Sequence, residues 1–265
     1  MSTLKVKDLS IRTKKEDRPI VTDLSFSLSS GESLVLLGQS GCGKTMTCRA
    51  VMGLLDRRLF RTEGSILFDQ TQLLHMEERK RPGLYGKAIA FVPQNPMTAL
   101  DPSMRIRGQM DEHLRLHTKL DRKERTDCIR DALIRAGLTD TERVLRSFPH
   151  TLSGGMLQRV LIAMATGTKA DLIIADEPTT ALDVVHRNET VDAFLRLKEG
   201  GAAVLFVTHD FAAALRLGGD VLVMKDGTAV EQGRTRDVYA APKTEYAASL
   251  VRASALSKGD GRADC

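Results

Sequence analysis

The 265-residue chain contains no tryptophan, and aromatic residues make up only 4% of it. Few platforms are left on which single-stranded nucleic acid could stack. Neither sign of charge dominates: 39 Lys and Arg against 34 Asp and Glu leave a net charge of +5, with both signs scattered along the chain. Without a basic arm to follow a phosphate backbone, nucleic acid is not expected as a partner. The four cysteines, Cys42, Cys48, Cys128 and Cys265, form no Cys-x-x-Cys pair. That excludes a disulfide framework and zinc-ribbon spacing, and it fits a reducing compartment. Apolar runs such as Leu34–Leu37, Val160–Ala165 and Ala202–Val207 are short, far below the ~18–20 residues that cross a bilayer. Met1–Lys7 lacks the apolar stretch of a signal peptide. If the protein works at a membrane, another chain does the spanning.

What is present is ordinary for a folded chain: 42% apolar and 28% charged residues. The length suffices for a buried core without covalent staples. Residues 4–9 and 21–28 alternate apolar and polar, as half-buried strands do. Ser33–Gly38 reads as a buried strand, followed by a helix over 43–55 and strands at 64–68 and 88–92. From about 95 to 165 the strand signal gives way to helical segments at 105–118, 121–136 and 153–167. Strands at 172–175 and 203–207 then alternate with helices at 185–199 and 210–217. A hairpin follows around Asp226-Gly227. The pattern predicts an α/β fold with a mostly parallel sheet, a helical insert over about 95–165, and a single domain over 1–250. The polar residues 251–265 are expected to form a disordered tail.

Residues 38–45, Gly-Gln-Ser-Gly-Cys-Gly-Lys-Thr, match G-x-x-x-x-G-K-[ST] between a predicted strand and a predicted helix. Glycines at 38, 41 and 43 permit the tight curve of a phosphate loop. Successive N–H groups of Gln39, Ser40, Cys42 and their neighbours then point at phosphate oxygens, helped by the helix N-terminus. Lys44 is expected on the β- and γ-phosphates and the Thr45 hydroxyl on Mg2+. The motif alone gives only an NTPase or kinase. Downstream, Leu172–Ala175 leads into Asp176-Glu177. Two carboxylates at a strand end suit one Mg2+-side ligand, Asp176, and one general base, Glu177. Leu152-Ser-Gly-Gly-Met-Leu-Gln-Arg159 opens a helix that Ser153 can cap, and bare N–H groups of Gly154 and Gly155 make a second anion-favouring helix start.

Taken together, these motifs closely resemble those of the ATP-binding cassette (ABC) ATPases, over residues 4 to about 250. The 152–159 stretch is similar to the family signature, and the resemblance assigns Ser153, Gly154, Gly155 and Gln158 to nucleotide contact. Gln94, in Val-Pro-Gln-Asn-Pro, looks like the Q-loop glutamine beside Mg2+. Ala181-Leu182-Asp183 looks like the D-loop, and His209 in Val-Thr-His-Asp looks like the switch histidine on the γ-phosphate. The implied fold is a P-loop NTPase of ABC type: a mostly parallel core sheet, an antiparallel β subdomain and a helical subdomain insert. The implied cofactors are ATP and Mg2+. Many family members carry an aromatic residue near the N-terminus that stacks on adenine. Here Ser10-Ile11-Arg12-Thr13 has none, and Ile11 or Arg12 is the expected substitute face.

Several stretches look like the nickel, dipeptide and oligopeptide importer group: Asn95–Pro102, Phe148–Met156, Ile174–Asp183, and Glu231-Gln-Gly with Ala241-Pro-Lys-Thr-Glu-Tyr246. The group's usual proline before that tyrosine is replaced by Glu245. Peptide-importing relatives often extend further. The shortness of this chain, Met46–Cys48 and Asp183–Val185 look closer to nickel-import subunits, which makes nickel or a metal chelate the expected cargo and a peptide the alternative. The resemblance implies a second ABC ATPase subunit, with a heterodimer preferred, two transmembrane permease subunits and a periplasmic or extracellular solute-binding protein. It places the chain peripherally on the cytoplasmic face of the cell (inner) membrane. A non-transport ABC ATPase is disfavoured, because neither a long coiled-coil insertion nor a second cassette is present. His113 and His117, at i and i+4 in Asp-Glu-His-Leu-Arg-Leu-His, lack the third ligand of a metal site and are expected on a solvated helix face.

Overall fold

The structure, a computed structural model, describes residues 3–180 and 182–259. Strands β1 (Thr3–Thr13), β2 (Pro19–Ser29) and β3 (Ser33–Leu37) precede helix α1 (Lys44–Val51). Strands β4 (Phe60–Phe68), β5 (Thr71–Gln72) and β6 (Ile89–Val92) lead to helices α2 (Ile106–His117), α3 (Arg122–Arg135), α4 (Thr141–Arg146) and α5 (Gly154–Gly167). The chain continues through β7 (Leu172–Asp176), α6 (Val184–Glu199), β8 (Ala203–Thr208) and α7 (Phe211–Leu217). It closes with β9 (Asp220–Lys225), β10 (Thr228–Arg234), α8 (Thr235–Ala240) and α9 (Glu245–Gly259).

Two compact units arise. The first joins Ser33–Met76 to the chain before Ser30 and from Leu205 onward; the second joins Ser30–Glu32 to Glu77–Val204. In the first, β2, β1, β4 and β5 form an antiparallel sheet in that order. Strand β2 alternates over its second half, with Leu24, Phe26 and Leu28 buried, and a register shift near Asp23 brings Val21 to the buried side as well. Strands β1 and β4 run longer than their alternating cores, pairing as far as Thr13 with Phe60. The added residues are mostly polar, so no apolar pattern announced them. Strand β3 is buried throughout and pairs in parallel with β9, which pairs antiparallel with β10. The continuous apolar run Leu34–Leu37 is what a strand covered on both faces needs.

The first unit also holds two helices that the sequence did not announce. Helix α9 carries the chain from Glu245 through Gly259, so residues 251–259 of the expected disordered tail are helical. Residues 260–265, Cys265 among them, lie outside the described residues.

In the second unit, β6 and β7 pair in parallel from Ile89 with Leu172 to Val92 with Ala175. Helix α5 is its core, with Leu157, Val160, Ile162 and Ala163 almost fully buried. A buried cation crosses that core. Arg159 donates to the carbonyls of Gly155 and Gly137 at 3.3 and 3.1 Å and pairs with Glu189 of α6 at 3.0 Å. A buried charge is tolerable only with such partners. Helix α3 begins with a capping box, Asp121 and Glu124 exchanging hydrogen bonds with each other's backbone. The expectation for the α2 histidines changes here. His113 is half-buried and hydrogen-bonded to the Met164 backbone of α5, and the two imidazole centroids are 4.8 Å apart. The i, i+4 spacing marked an inner edge of the helix, because α5 covers it. Among the described residues, no cluster of three or more His, Cys, Asp or Glu is arranged to hold a metal ion.

Candidate nucleotide site

In the first unit, the buried β3 ends at Leu37 and α1 begins at Lys44, leaving six residues for the loop. Gly43 stands at the helix N-cap with φ 104° and has no side-chain cap, so no side chain competes for the first N–H groups of α1. Gly38 is confined differently: a Cβ there would lie 2.3 Å from the Met224 carbonyl oxygen and 2.7 Å from Cys42 Sγ. Gln39, Ser40 and Gly41 are exposed at the mouth of the loop, Cys42 and Lys44 are buried, and Thr45 is half-buried. On the Cβ side of Gly41 nothing lies within 4 Å, so the curve opens onto free space. Lys44 Nζ donates to the carbonyls of Gly38 and Gln39 at 2.7 and 3.0 Å. Burial pushes the Cys42 thiol up, against the pull of Lys44. The thiol therefore stays protonated, and Cys42 serves as backbone in the loop rather than as a nucleophile.

His209, exposed in the same unit, follows the end of β8. The turn that carries it is fixed by Asp210, which caps α7 through Ala212 N at 2.8 Å and donates its own N–H to Thr208 Oγ1.

Asp176 ends β7 in the second unit, and both Asp176 and Glu177 are buried. Glu177 holds φ 46°, a left-handed conformation that costs a β-carbon residue about 1–3 kcal/mol. Thr180 supports it, its hydroxyl donating to Glu177 Oε2 at 2.9 Å and its N–H to the Glu177 carbonyl at 3.2 Å. Gln94 is exposed two residues beyond β6. Its loop is pinned by Gln158, whose Nε2 donates to the Pro93 carbonyl at 3.3 Å. Gln158 is 2% exposed, so this side chain is spent on positioning the Gln94 loop. Ser153 caps α5, accepting from Met156 N at 3.3 Å. Gly154 faces open space, whereas a Cβ on Gly155 would lie 3.4 Å from the His186 side chain. Asp183 caps α6 through His186 N at 3.0 Å and meets His186 Nδ1 at 2.6 Å. Its carboxyl is held below the usual range by that backbone N–H and then by the imidazole. Ala181, expected in the D-loop, lies outside the described residues.

Each unit thus gathers its own share of the expected residues: Gly38–Thr45 and His209 in the first, Gln94, Ser153–Gly155, Gln158, Asp176, Glu177 and Asp183 in the second. Ile11 is fully buried in the first unit, so it presents no face to adenine, and Arg12 is engaged with Asp17 at 2.9 Å. Sequence reasoning passed over His186 and, although Arg159 and Tyr246 stand in stretches it singled out, gave neither a role. The Tyr246 hydroxyl accepts a hydrogen bond from the Gln39 N–H at 3.0 Å.

The ABC transporter family model matches residues 21–180. The chain belongs to the ABC transporter family. It is an ABC-type transport ATPase with the ABC nucleotide-binding fold, a P-loop α/β architecture combining an antiparallel β subdomain with a mixed, largely parallel core sheet. It is 39% identical over 252 residues to the metal-staphylopine import system ATP-binding protein CntD of Staphylococcus aureus, covering 95% of this chain and 93% of that one. Against the oligopeptide transport ATP-binding protein OppD of Escherichia coli it is 38% identical over 253 residues, covering 94% of this chain and 75% of the relative. Among solved structures, a dimeric bacterial ABC transporter cassette, MJ0796, superposes with a TM-score of 0.76 at 26% identity, covering 88% of this chain and 99% of that one. Among the described residues no helix is long and apolar enough to cross a membrane.

Proposed function

We propose that this ABC ATPase energises the import of a metal chelate. The observation that carries the cargo class is its 39% identity, over 95% of its length, to the ATP-binding protein of a metal-staphylopine import system. The motifs that pointed to nickel are narrower than this support, and nickel stands as one metal among those a chelator can carry. Peptide import is the second reading, favoured by the 38% identity to an oligopeptide transport ATP-binding protein.

The residues present fit a nucleotide triphosphate: a glycine-built curve opening onto free space at Gly41, uncapped helix N–H groups, and a buried lysine. In this reading the N–H groups of 38–45 hold the phosphates, and Lys44 moves from the Gly38 and Gln39 carbonyls to the β- and γ-phosphates. Thr45, Asp176 and Gln94 offer oxygen donors of the kind Mg2+ takes, and they would hold it. Bound there, Mg2+ supplies neutralisation of phosphate charge. Glu177 orients a water and accepts its proton, while His209 hydrogen-bonds the γ-phosphate. The helix start at Ser153–Gly155 is offered to the nucleotide of a second cassette, and Asp183 shapes that junction. The working unit is then two cassettes, preferably different ones, with two permease subunits and a solute-binding protein, on the cytoplasmic face of the membrane.

The test is reconstitution of the assembled transporter in vesicles. Lys44→Ala is expected to abolish ATP hydrolysis and to weaken ATP binding, because no neighbouring group replaces a compact ammonium. Wild-type turnover in that variant overturns the phosphate-loop assignment. Metal chelate is expected to stimulate wild-type hydrolysis in the presence of the binding protein; stimulation by oligopeptide and not by chelate selects the second reading.

A further inference from the structure

A segment at the C-terminal end of the first unit has no part in the chemistry above, yet it reaches the phosphate loop. We infer that Tyr246 is a positioning residue for that loop, held in place by a clasp between Glu231 and Thr244. The inference rests on the reading of Gly38–Thr45 as the phosphate cradle.

The clasp is built from β10 and the start of α9. Glu231 is buried in β10. Its Oε1 accepts the Lys243 N–H, and its Oε2 accepts both the N–H and the hydroxyl of Thr244, all at 2.9 Å. Thr244 then starts the helix: its Oγ1 accepts from Ala247 N at 3.1 Å and its carbonyl from Ala248 N at 3.0 Å. One buried carboxylate therefore fixes where α9 begins, and Tyr246 stands two residues beyond Thr244. Glu245, in the place where the resembling group has proline, pairs with Arg252 at 2.6 Å.

From that position the Tyr246 hydroxyl accepts the Gln39 N–H at 3.0 Å. The Lys225 ammonium lies 5.4 Å from the Tyr246 ring centroid, within the range of a cation–π contact. The other side of the Gln39 residue is also engaged, because its carbonyl accepts from Lys44 Nζ at 3.0 Å. Gln39 is thus held at its N–H by Tyr246 and at its carbonyl by the lysine of the loop. Removing the phenol oxygen frees the exposed, glycine-flanked end of the loop to move. Binding then has to restore the order that Tyr246 supplies beforehand. The loop geometry serves ground state and transition state alike, so the effect belongs in binding rather than in the chemical step.

The test titrates ATP into the full chain and follows ATPase kinetics with its partner cassette and permease. Tyr246→Phe keeps the ring and the Lys225 contact and loses only the acceptor. It is expected to raise the ATP Kd and KM about two- to fivefold, the span of one neutral hydrogen bond with a solvent-accessible donor, with kcat nearly unchanged. Thr244→Val, which removes the hydroxyl from the clasp, is expected to shift Kd in the same direction, and Thr244→Ser to restore the wild-type value. Tyr246→Phe with unchanged or tighter ATP binding overturns the inference, as does a drop in kcat at constant KM. If Tyr246→Phe fails to fold, the Thr244 pair decides it: equal Kd in Thr244→Val and Thr244→Ser overturns it. Lys44→Ala separates the two readings. ATP binding that survives Lys44→Ala undoes the cradle itself, whereas binding lost in Lys44→Ala but indifferent to Tyr246→Phe removes only the role of Tyr246.

Discussion

His113 ties stability to pH through a single imidazole. It is half-buried on α2, hydrogen-bonded to the Met164 backbone, with the His117 ring 4.8 Å away. Burial, and after it the neighbouring His117, push its pKa from 6.5 down to about 4, while the bond to Met164 opposes the shift. The folded state therefore holds the neutral imidazole, and the unfolded state takes up a proton first as pH falls. Stability from this group is full above about pH 6.5 and is lost progressively between 6.5 and 4. At about 1.4 kcal/mol for each tenfold difference in proton affinity, the loss reaches an upper figure of about 2 kcal/mol at pH 5 and about 3 kcal/mol below pH 4. Denaturant unfolding at pH 7.5 and pH 5, for wild type and His113→Gln, measures it. Glutamine keeps a donor for the Met164 backbone but does not titrate, so the other ionisable groups largely cancel between the two proteins. Wild type is expected to lose about 2 kcal/mol more than the variant on going to pH 5. Equal losses would refute the reasoning and place His113 in water.

Two further perturbations address the site. Glu177→Gln keeps size and a hydrogen-bonding carbonyl but removes the proton acceptor, so hydrolysis is expected to slow at least ~100-fold while ATP still binds; turnover and equilibrium binding in the assembled transporter check it, and near-normal turnover assigns the water to another group. Gly38→Ala sets a methyl group 2.3 Å from the Met224 carbonyl oxygen and 2.7 Å from Cys42 Sγ. The backbone of β9 cannot yield cheaply, so ATP affinity is expected to fall at least ~10-fold together with a lower Tm; unchanged affinity would show that the loop tolerates displacement.

The turn of 38–45, proposed above as a phosphate loop, was legible because its geometry is local: the glycines, the lysine and the helix start all lie within eight residues. The carboxylates of 176 and 177 were legible for the same reason, standing at the end of an apolar strand. What escaped depended on partners far away in sequence. Ile11 lies on the inward-pointing side of β1, a face set by its pairing with Val21 and Thr62. Helix α9 is rich in alanine and serine, so no apolar stripe marks it, and what anchors its first turn is a carboxylate 13 positions before Thr244. The contact of Tyr246 with Gln39 spans 207 positions. Among the histidines of α2, the i, i+4 spacing was visible, but the covering Met164 was not.

Glu177 shows why the remaining chemistry required a structure. Its identity suits a general base, and the sequence reveals that much. Its φ of 46° is invisible in the sequence, because glutamate has no preference for the left-handed region. A residue without that preference keeps the conformation only where its surroundings over-determine it. Here Thr180 does so twice, through its hydroxyl to the carboxylate and its N–H to the Glu177 carbonyl. The two bonds fix the direction of the carboxylate relative to the end of β7. One oxygen, Oε2, is committed to Thr180. In the proposed reaction, the carboxylate meets its water already oriented, so little reorganisation is left for the chemical step.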